Sequence, residues 1–98
     1  MVDDSLLRLT EQTGLCPTLV NITKLTASWG RCDSKGKISI SLYLGAYPQS
    51  IVDYVVLHEL CHLRQMNHSA AFWEEMCRFM PDCKQRRAAL KRNLTIKP

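Results

Sequence analysis

The amino-acid sequence predicts one α+β domain, in which a β-hairpin or short antiparallel sheet packs on a central helix and on further helices. Its 98 residues suit one domain with a modest hydrophobic core and leave little room for a second. The stretch KISISLYL alternates apolar and polar residues, which is typical of a strand with one buried face. A later segment carries apolar residues at spacings of three and four, which is typical of a helix with one buried face: Val52, Val56, Leu60 and Leu63.

The first half of the chain is predicted to form a short helix and two strands. Residues Asp4 to Thr13 carry a weak apolar stripe, and Gly14 suits the left-handed residue that often ends a helix. β-Branched residues favour a strand from Leu19 to Thr26, and the alternating segment favours a second strand from Ile38 to Leu44. The intervening RCDSKGK is typical of a turn, so we expect the two strands to form a hairpin.

Three helices are predicted in the second half. The central helix is expected from Pro48, which suits a first helical turn, to Met66, because Asn67 tolerates the left-handed conformation. Ser69 can cap the next helix, from Ala70 to Met80, and the proline after it cannot continue the helix. A last helix is expected from Cys83 to Asn93.

Charge is unevenly distributed along the chain, whose formal net charge is +4. The last seventeen residues hold one acidic side chain, Asp82, and six basic ones: Lys84, Arg86, Arg87, Lys91, Arg92 and Lys97. This basic C-terminal helix is either an ordinary solvated face or a surface that contacts nucleic acid.

Composition indicates an ordinary cytoplasmic globular domain. Apolar residues make up 46% of the chain and charged residues 22%, as in typical globular proteins. No apolar run reaches the length of a membrane span, and the acidic N-terminal stretch lacks the apolar segment of a secretory signal. Five cysteines without regular spacing indicate reduced thiols in the cytosol.

The stretch YVVLHELCHLRQMNHS contains all three histidines of the chain. His58 and His62 lie one helical turn apart on one face, so their imidazoles can converge on a metal ion. Glu59 lies about 100° around the helix, where its carboxylate can reach a water on the metal without ligating the metal. This is the H-E-x-x-H pattern, in which a metal acidifies a water and the glutamate takes its proton. His68 lies just beyond the predicted helix end, and a chain reversal there makes it the natural third ligand of one zinc ion.

Two other interpretations of this stretch remain: a polar helix face without metal, and a structural zinc site without catalysis. Structural sites favour four closed ligands that include cysteine, and Cys61 is the nearest thiol. Because Cys61 lies about 100° from His62 and nearly opposite His58 on the helix, we expect it to face the core.

Several separate pieces of the sequence together resemble the YgjP-like, SprT-related metallopeptidase domain, a branch of the zincin-type metal-dependent hydrolases. They are Trp-Gly-x-Cys at 29–32, Asp-Tyr-Val before the H-E-x-x-H motif, Asn-His-Ser at 67–69, Phe-Trp at 72–73 and Pro-Asp at 81–82. The resemblance extends from about Trp29 to Leu90, and the chain is short at its N-terminal end for a member of this family. It implies a small zincin-like fold, with Glu59 as catalytic base and one zinc ion held by His58, His62 and His68.

The leading functional prediction is a zinc metallopeptidase that acts on polypeptides. An extended peptide can add to an exposed edge of the strand Ile38 to Leu44. The reaction needs a group that stabilises the oxyanion, and four residues are candidates: Arg31, Tyr43, Tyr47 and Tyr54. One alternative is a metal-dependent nucleotide phosphohydrolase, although the sequence has no glycine-rich phosphate loop to support it. The other is a DNA-associated metal-binding module, which the basic C-terminal helix would position on the nucleic acid.

Other residues near the motif are expected to have supporting roles. Trp29, Phe72 and Trp73 are predicted to pack in the fold and not to stack on substrate. Asp53 is expected to cap or orient a neighbouring residue and not to ligate the metal. Metal-bound histidines usually donate their second ring N–H to an acceptor, and three carboxylates are candidates for that role: Asp53, Glu74 and Glu75.

Overall fold

The computed structural model describes residues 2–25 and 29–92. Helix α1 (Val2–Thr13) is followed by strands β1 (Leu19–Thr23), β2 (Gly30–Cys32) and β3 (Lys37–Ser41). A 3-10 helix (Leu42–Ala46) then leads into α2 (Gln49–Cys61), α3 (Ala70–Phe79) and α4 (Cys83–Arg92). This order confirms the predicted α+β class. None of the described helices is both long and apolar enough to cross a membrane.

The helices begin and end close to where the local sequence predicts, except at the end of α2. Gly14 has a φ of 74° directly after α1, and the Ser69 hydroxyl accepts a hydrogen bond from the Phe72 N–H at the start of α3. The predicted extension of α2 to Met66 is wrong, because the helix ends at Cys61 and residues 62–64 form a tight turn. The expected left-handed Asn67 is also wrong, since positive φ is confined to glycines among the described residues.

The sheet is mixed and three-stranded, with the order β1-β3-β2. β1 is parallel to β3 and β2 is antiparallel to it, so the predicted hairpin between the first strand and the alternating segment is wrong. The hairpin instead joins β2 to β3 through a turn in which the Asp33 carboxylate accepts hydrogen bonds from the N–H groups of Lys35 and Lys37, each at 2.9 Å. Gly36 has a φ of 84° in this turn, a conformation that suits glycine.

Both predicted strands end earlier than expected. The first ends at Thr23, and Thr26 lies outside the described residues. The alternating segment ends as a strand at Ser41, whose hydroxyl accepts a hydrogen bond from the Tyr43 N–H and begins the 3-10 helix. Alternation alone does not reveal this cap, because the pattern continues through Leu44 in the sequence.

The hydrophobic core surrounds α2, which packs against the other three helices and against β2 and β3. Residues 51–57 of α2 are all buried, so burial extends around the helix and beyond the predicted apolar stripe. Ile38 and Ile40 of β3 are fully buried against it. Close packing on all sides holds the side chains of α2 in fixed positions. The C-terminal end of α2, with its histidines, is thereby placed beside β2.

Asp53 connects α2 to α1. Its Oδ1 accepts hydrogen bonds from Arg8 Nη2 and Gln49 Nε2, each at 2.8 Å, and from the Ser5 hydroxyl. Burial by itself raises the pKa of Asp53, but these hydrogen bonds and the Arg8 charge outweigh burial and hold the pKa below its ordinary value. Asp53 therefore orients neighbouring residues, as predicted, and its alternative role as an acceptor for an imidazole is wrong, because its partners lie on α1 and on the first turn of α2.

Candidate metal centre

The three histidines meet at the junction of α2 and α3. His58 is on the last turn of α2, His62 follows its last residue, and His68 directly precedes Ser69, the cap of α3. The tight turn after α2 and the non-helical segment behind it return His68 to the helix end. As a result, His68 Nε2 lies 3.0 Å from His62 Nε2 and 3.2 Å from His58 Nε2. Among the residues that the structure describes, no other group of three or more potential ligands converges in this way.

Hydrogen bonds on the far side of two rings determine which nitrogen presents a lone pair to the cluster. His62 Nδ1 lies 3.0 Å from the Gln65 carbonyl oxygen. A carbonyl only accepts hydrogen bonds, so Nδ1 carries the proton and Nε2 the lone pair. His58 Nδ1 lies 3.2 Å from Glu59 Oε2, which makes its Nε2 an acceptor in the same way. A neutral His68 ring faces both lone pairs with at most one proton on Nε2.

This arrangement fits a metal ion better than a hydrogen-bonded network of neutral imidazoles. A proton on His68 Nε2 serves one of the two facing lone pairs and leaves the other without a donor. A cation accepts all three lone pairs, and nitrogens bound tetrahedrally at about 2.0–2.1 Å are about 3.3 Å apart. The observed separations of 3.0 and 3.2 Å are close to this value. The three histidines are therefore able to hold one metal ion and to leave a coordination position open.

Phe72 supports all three imidazoles. Its fully buried ring stacks on His62 with centroids 4.6 Å apart, and it meets His58 and His68 edge-on, each at 5.0 Å. Trp73 stacks on His68 at 6.1 Å. Phe72 is a packing residue, as predicted, and its packing holds the three rings in a fixed relation.

Glu59 lies beside the histidines and against strand β2. Glu59 is 4% exposed, and a Cβ on Gly30 would lie 3.0 Å from Glu59 Cγ and 3.1 Å from Glu59 Oε2. Glycine is therefore the residue that leaves room for this carboxylate. The role of Gly30 was not predicted from the sequence, where this residue is named only as part of the Trp-Gly-x-Cys motif at 29–32. A glycine within a short strand is the signal that another group approaches the backbone closely.

Burial and neighbouring groups favour the neutral form of two of the histidines. Burial lowers the pKa of His62 below its ordinary value of 6.5, and the nearby His58 lowers it further. Burial also lowers the pKa of His68, and His58 and His62 act in the same direction. Neutral imidazole is the form that binds a metal, so the site is prepared for metal at neutral pH.

The histidines and Glu59 line an open cavity of about 500 Å³. Two of the four predicted oxyanion candidates, Arg31 and Tyr54, also line it. Burial raises the pKa of Tyr54 to about 12, so its hydroxyl stays protonated and able to donate a hydrogen bond. Tyr43 and Tyr47 are not among the described residues that line the cavity.

Tyr47 packs against Trp29, one of the predicted packing residues. Its ring meets Trp29 edge-on, with centroids 4.9 Å apart. Trp29 is 3% exposed, which confirms it as a residue of the core. Trp29 therefore fixes to the core the start of β2, the strand that borders the cavity.

The cavity wall also contains residues that sequence analysis did not assign to the site, among them Cys32, Met66, Arg87 and Leu90. Burial, with a smaller effect from Glu59, raises the pKa of Cys32 to about 11, so this side chain is a neutral thiol. These residues come from β2, from the segment after α2 and from α4. Only the packing of these elements brings them together.

Two arginines of the basic C-terminal helix have partners within the fold. Arg86 pairs with Asp82 at 3.0 Å and donates a hydrogen bond to the Ser50 carbonyl oxygen at 3.0 Å. The Arg87 guanidinium lies over the Trp73 ring, 5.1 Å from its centroid. Lys97 lies outside the described residues. Contact of this helix with nucleic acid stays a prediction.

The remaining predicted acceptors do not hold the imidazoles. Glu75 Oε1 lies 3.3 Å from Arg64 Nη1, in an ion pair whose geometry does not make a hydrogen bond, and Glu74 is exposed. The Gln65 carbonyl and the Glu59 carboxylate contact the rings instead. Cys61 is fully buried in the core, as predicted, and burial raises its pKa to about 12.

Comparisons with known proteins agree with these features. A family model described as "YgjP-like, metallopeptidase domain" matches residues 1–93, a longer stretch than the segment whose motifs carry the resemblance. The crystal structure of the metallopeptidase zymogen of Pyrococcus abyssi abylysin superposes with a TM-score of 0.85 at 26% identity, covering 99% of this chain and 98% of that chain. The metallopeptidase zymogen of Methanocaldococcus jannaschii jannalysin gives a TM-score of 0.79 at 14% identity, with coverage of 94% and 95%, a likeness of fold alone. None of the curated proteins compared with the chain matches it.

The family model covers nearly the whole described chain, and the three converging histidines form a group that could hold the metal ion of a metallopeptidase. The protein is therefore a metallopeptidase-like hydrolase, and the chain belongs to the YgjP-like metallopeptidase domain family.

Proposed function

We propose that this protein is a zinc-dependent peptidase, with Glu59 as the general base and one zinc ion bound by His58, His62 and His68. The observation that carries the proposal is the convergence of the three Nε2 atoms, 3.0 and 3.2 Å apart, beside a buried carboxylate in the wall of an open cavity. Three imidazoles with an open position are typical of catalytic zinc, whereas structural zinc takes four closed ligands.

A zinc ion at this site supplies a Lewis acid that polarises the scissile carbonyl and acidifies the attacking water. Glu59 takes the proton of that water as its oxygen attacks, and then passes the proton to the leaving amine. The contact of Oε2 with His58 Nδ1 leaves the second oxygen of the carboxylate as a proton acceptor. Because Glu59 is enclosed between α2 and β2, its carboxylate is already in position before substrate arrives.

Tyr54 and Arg31 are the residues that we assign to the developing oxyanion. Both line the cavity that contains the histidines. Tyr54 lies one helical turn before His58, with ring centroids 5.9 Å apart, and its raised pKa keeps the hydroxyl a donor. A donor that is fixed before the reaction stabilises the negative charge of the transition state without reorganisation.

An extended polypeptide binds along β2 in this proposal. The edge predicted from the sequence, along Ile38 to Leu44, is wrong because β3 is the central strand. The Trp29 carbonyl oxygen accepts a hydrogen bond from Ser41, and the Asp33 N–H donates one to the Lys37 carbonyl oxygen. Successive residues of an antiparallel strand direct their backbone groups to opposite sides. The N–H and C=O groups of Gly30 and Cys32 therefore point away from β3. Peptides commonly add to such an edge as a further strand. A peptide paired here passes directly beside Glu59 and the histidines.

Replacing Glu59 by Gln tests metal binding and chemistry separately. Gln is nearly isosteric with Glu but does not accept a proton at neutral pH, and the converging nitrogens are untouched. Glu59→Gln should therefore keep its zinc, while hydrolysis of an unfolded polypeptide should fall by about 100- to 10,000-fold. Elemental analysis and the cleavage rate are measured on the same preparation.

Glu74→Gln, an exposed change on α3, is the matched control and should leave both quantities unchanged. If the metal is lost together with the Glu59 carboxylate, Glu59 is a ligand and not the base. If the unaltered chain binds no zinc in a competition titration, the proposed function is wrong.

A further inference from the structure

Cys77 and Cys83 form a pair of thiols away from the metal centre. Cys77 lies near the end of α3, and Cys83 is the first residue of α4. Their sulfur atoms are 3.1 Å apart. A disulfide bond is about 2.0 Å long, so the two sulfurs have to approach by about 1 Å to form one.

The two thiols differ in their access to solvent. Cys77 is partly exposed, whereas Cys83 is fully buried. Burial, together with the hydrogen bond to Cys77, raises the pKa of Cys83 to about 11. A reagent from solution therefore meets Cys77 first, while Cys83 is a buried, neutral thiol.

We propose that Cys77 and Cys83 are an oxidisable dithiol, which small-molecule disulfides convert into a disulfide that links α3 to α4. The Cys77 thiolate attacks one sulfur of the reagent, so the S–S bond of the reagent breaks and one thiol leaves. Cys83 then loses its proton and attacks the Cys77 sulfur, which breaks the mixed disulfide and releases the second thiol. The two protein thiols lose two electrons and two protons, and the reagent gains both as two free thiols.

The disulfide would join two helices that contribute to the cavity wall. α3 carries Trp73, which stacks on His68, and α4 carries Arg87 and Leu90. Cys77 lies at the opposite end of α3 from the histidine junction. The link therefore restrains the position of α4 relative to α3 and leaves the three histidines in place.

Tryptic mapping of the whole chain after incubation with oxidised glutathione tests this proposal. Arg78 lies between the two cysteines, so trypsin places them on separate peptides, residues 65–78 and 79–84. These two peptides should be recovered as one linked species that has lost two hydrogen atoms, and a thiol reductant should separate them again.

Single variants establish the order of the reaction. Cys83→Ser should retain glutathione on Cys77 as a mixed disulfide, because no thiol is available to displace it. Cys77→Ser should leave the buried Cys83 unmodified. Cys61→Ser, which removes another fully buried thiol, is the matched control and should form the same linked peptide as the parent.

The unaltered chain decides the question even if a variant does not fold. Recovery of the two peptides unlinked, under conditions that modify the exposed Cys16, would show that the pair is not an oxidisable dithiol. A stable mixed disulfide on Cys77 in the unaltered chain would also overturn the proposal, because Cys83 would then have failed to displace it.

Discussion

Replacing Gly30 by Ala tests whether the position of Glu59, and not only its identity, determines the rate of hydrolysis. The added methyl group would lie 3.0 Å from Glu59 Cγ, 3.1 Å from Glu59 Oε2 and 3.2 Å from the Ser39 carbonyl oxygen. Ordinary contacts begin at 3.4 Å, so the nearest group has to move by about 0.4 Å. The Ser39 carbonyl belongs to the backbone of the central strand, and we therefore expect the Glu59 side chain to move.

The size of the effect follows from this displacement. A 1 Å misplacement in an active site can cost about 100-fold in rate, so a shift of about 0.4 Å should lower kcat/KM by roughly 10-fold. Overpacking costs about 1–3 kcal/mol, and Ala recovers about 0.5–1 kcal/mol relative to Gly in a strand. The free energy of unfolding should therefore fall by about 1–2 kcal/mol, while zinc stoichiometry stays that of the parent.

The assay compares zinc content, kcat/KM on an unfolded polypeptide and the denaturation midpoint for Gly30→Ala and the parent. Gly45→Ala is the matched control, because a Cβ at Gly45 meets nothing within 4 Å. In a Glu59→Gln background, Gly30→Ala should cause no further loss of rate, since two changes that act through one group are not additive. A full additional loss in that background, or unchanged kcat/KM in the single variant, would refute the reasoning.

Three further predictions concern the metal and the cavity. His68→Ala should lower zinc affinity strongly, because two ligands do not hold a catalytic zinc, and an unchanged affinity in a competition titration would mean that another residue is the third ligand. Tyr54→Phe should lower kcat by about 100-fold while zinc is retained. Tyr43 is exposed and does not line the cavity, so Tyr43→Phe is the control and should leave kcat unchanged. Equal rates for the two variants would exclude Tyr54 as the oxyanion donor. With a chelator present, the free energy of unfolding should fall as pH decreases below 6.5, because the pKa values of His62 and His68 are lowered in the folded state and the unfolded chain binds protons more readily. Denaturant midpoints that do not change between about pH 7.5 and 5 would contradict this sign.

The sequence by itself determined the features that depend on neighbours along the chain. The spacing of His58 and His62 places both on one helical face wherever the helix packs, because one turn of a helix is a local geometry. Ser69 similarly caps α3 through a hydrogen bond to a residue three positions later. His68 was predicted as the third ligand even though the helix end was placed incorrectly, because any reversal after α2 and before that cap returns the chain toward His62.

Only the tertiary structure decided the features that depend on contacts between distant segments. The parallel pairing of β1 with β3 is one example, since the alternating pattern of a strand is the same for either direction of its neighbour. The approach of Gly30 to Glu59, the support of three imidazoles by Phe72 and the contact of Cys77 with Cys83 are others. Local sequence specifies which way a side chain leaves its own helix or strand, but the packing of α2 against β2, α3 and α4 determines what that side chain meets.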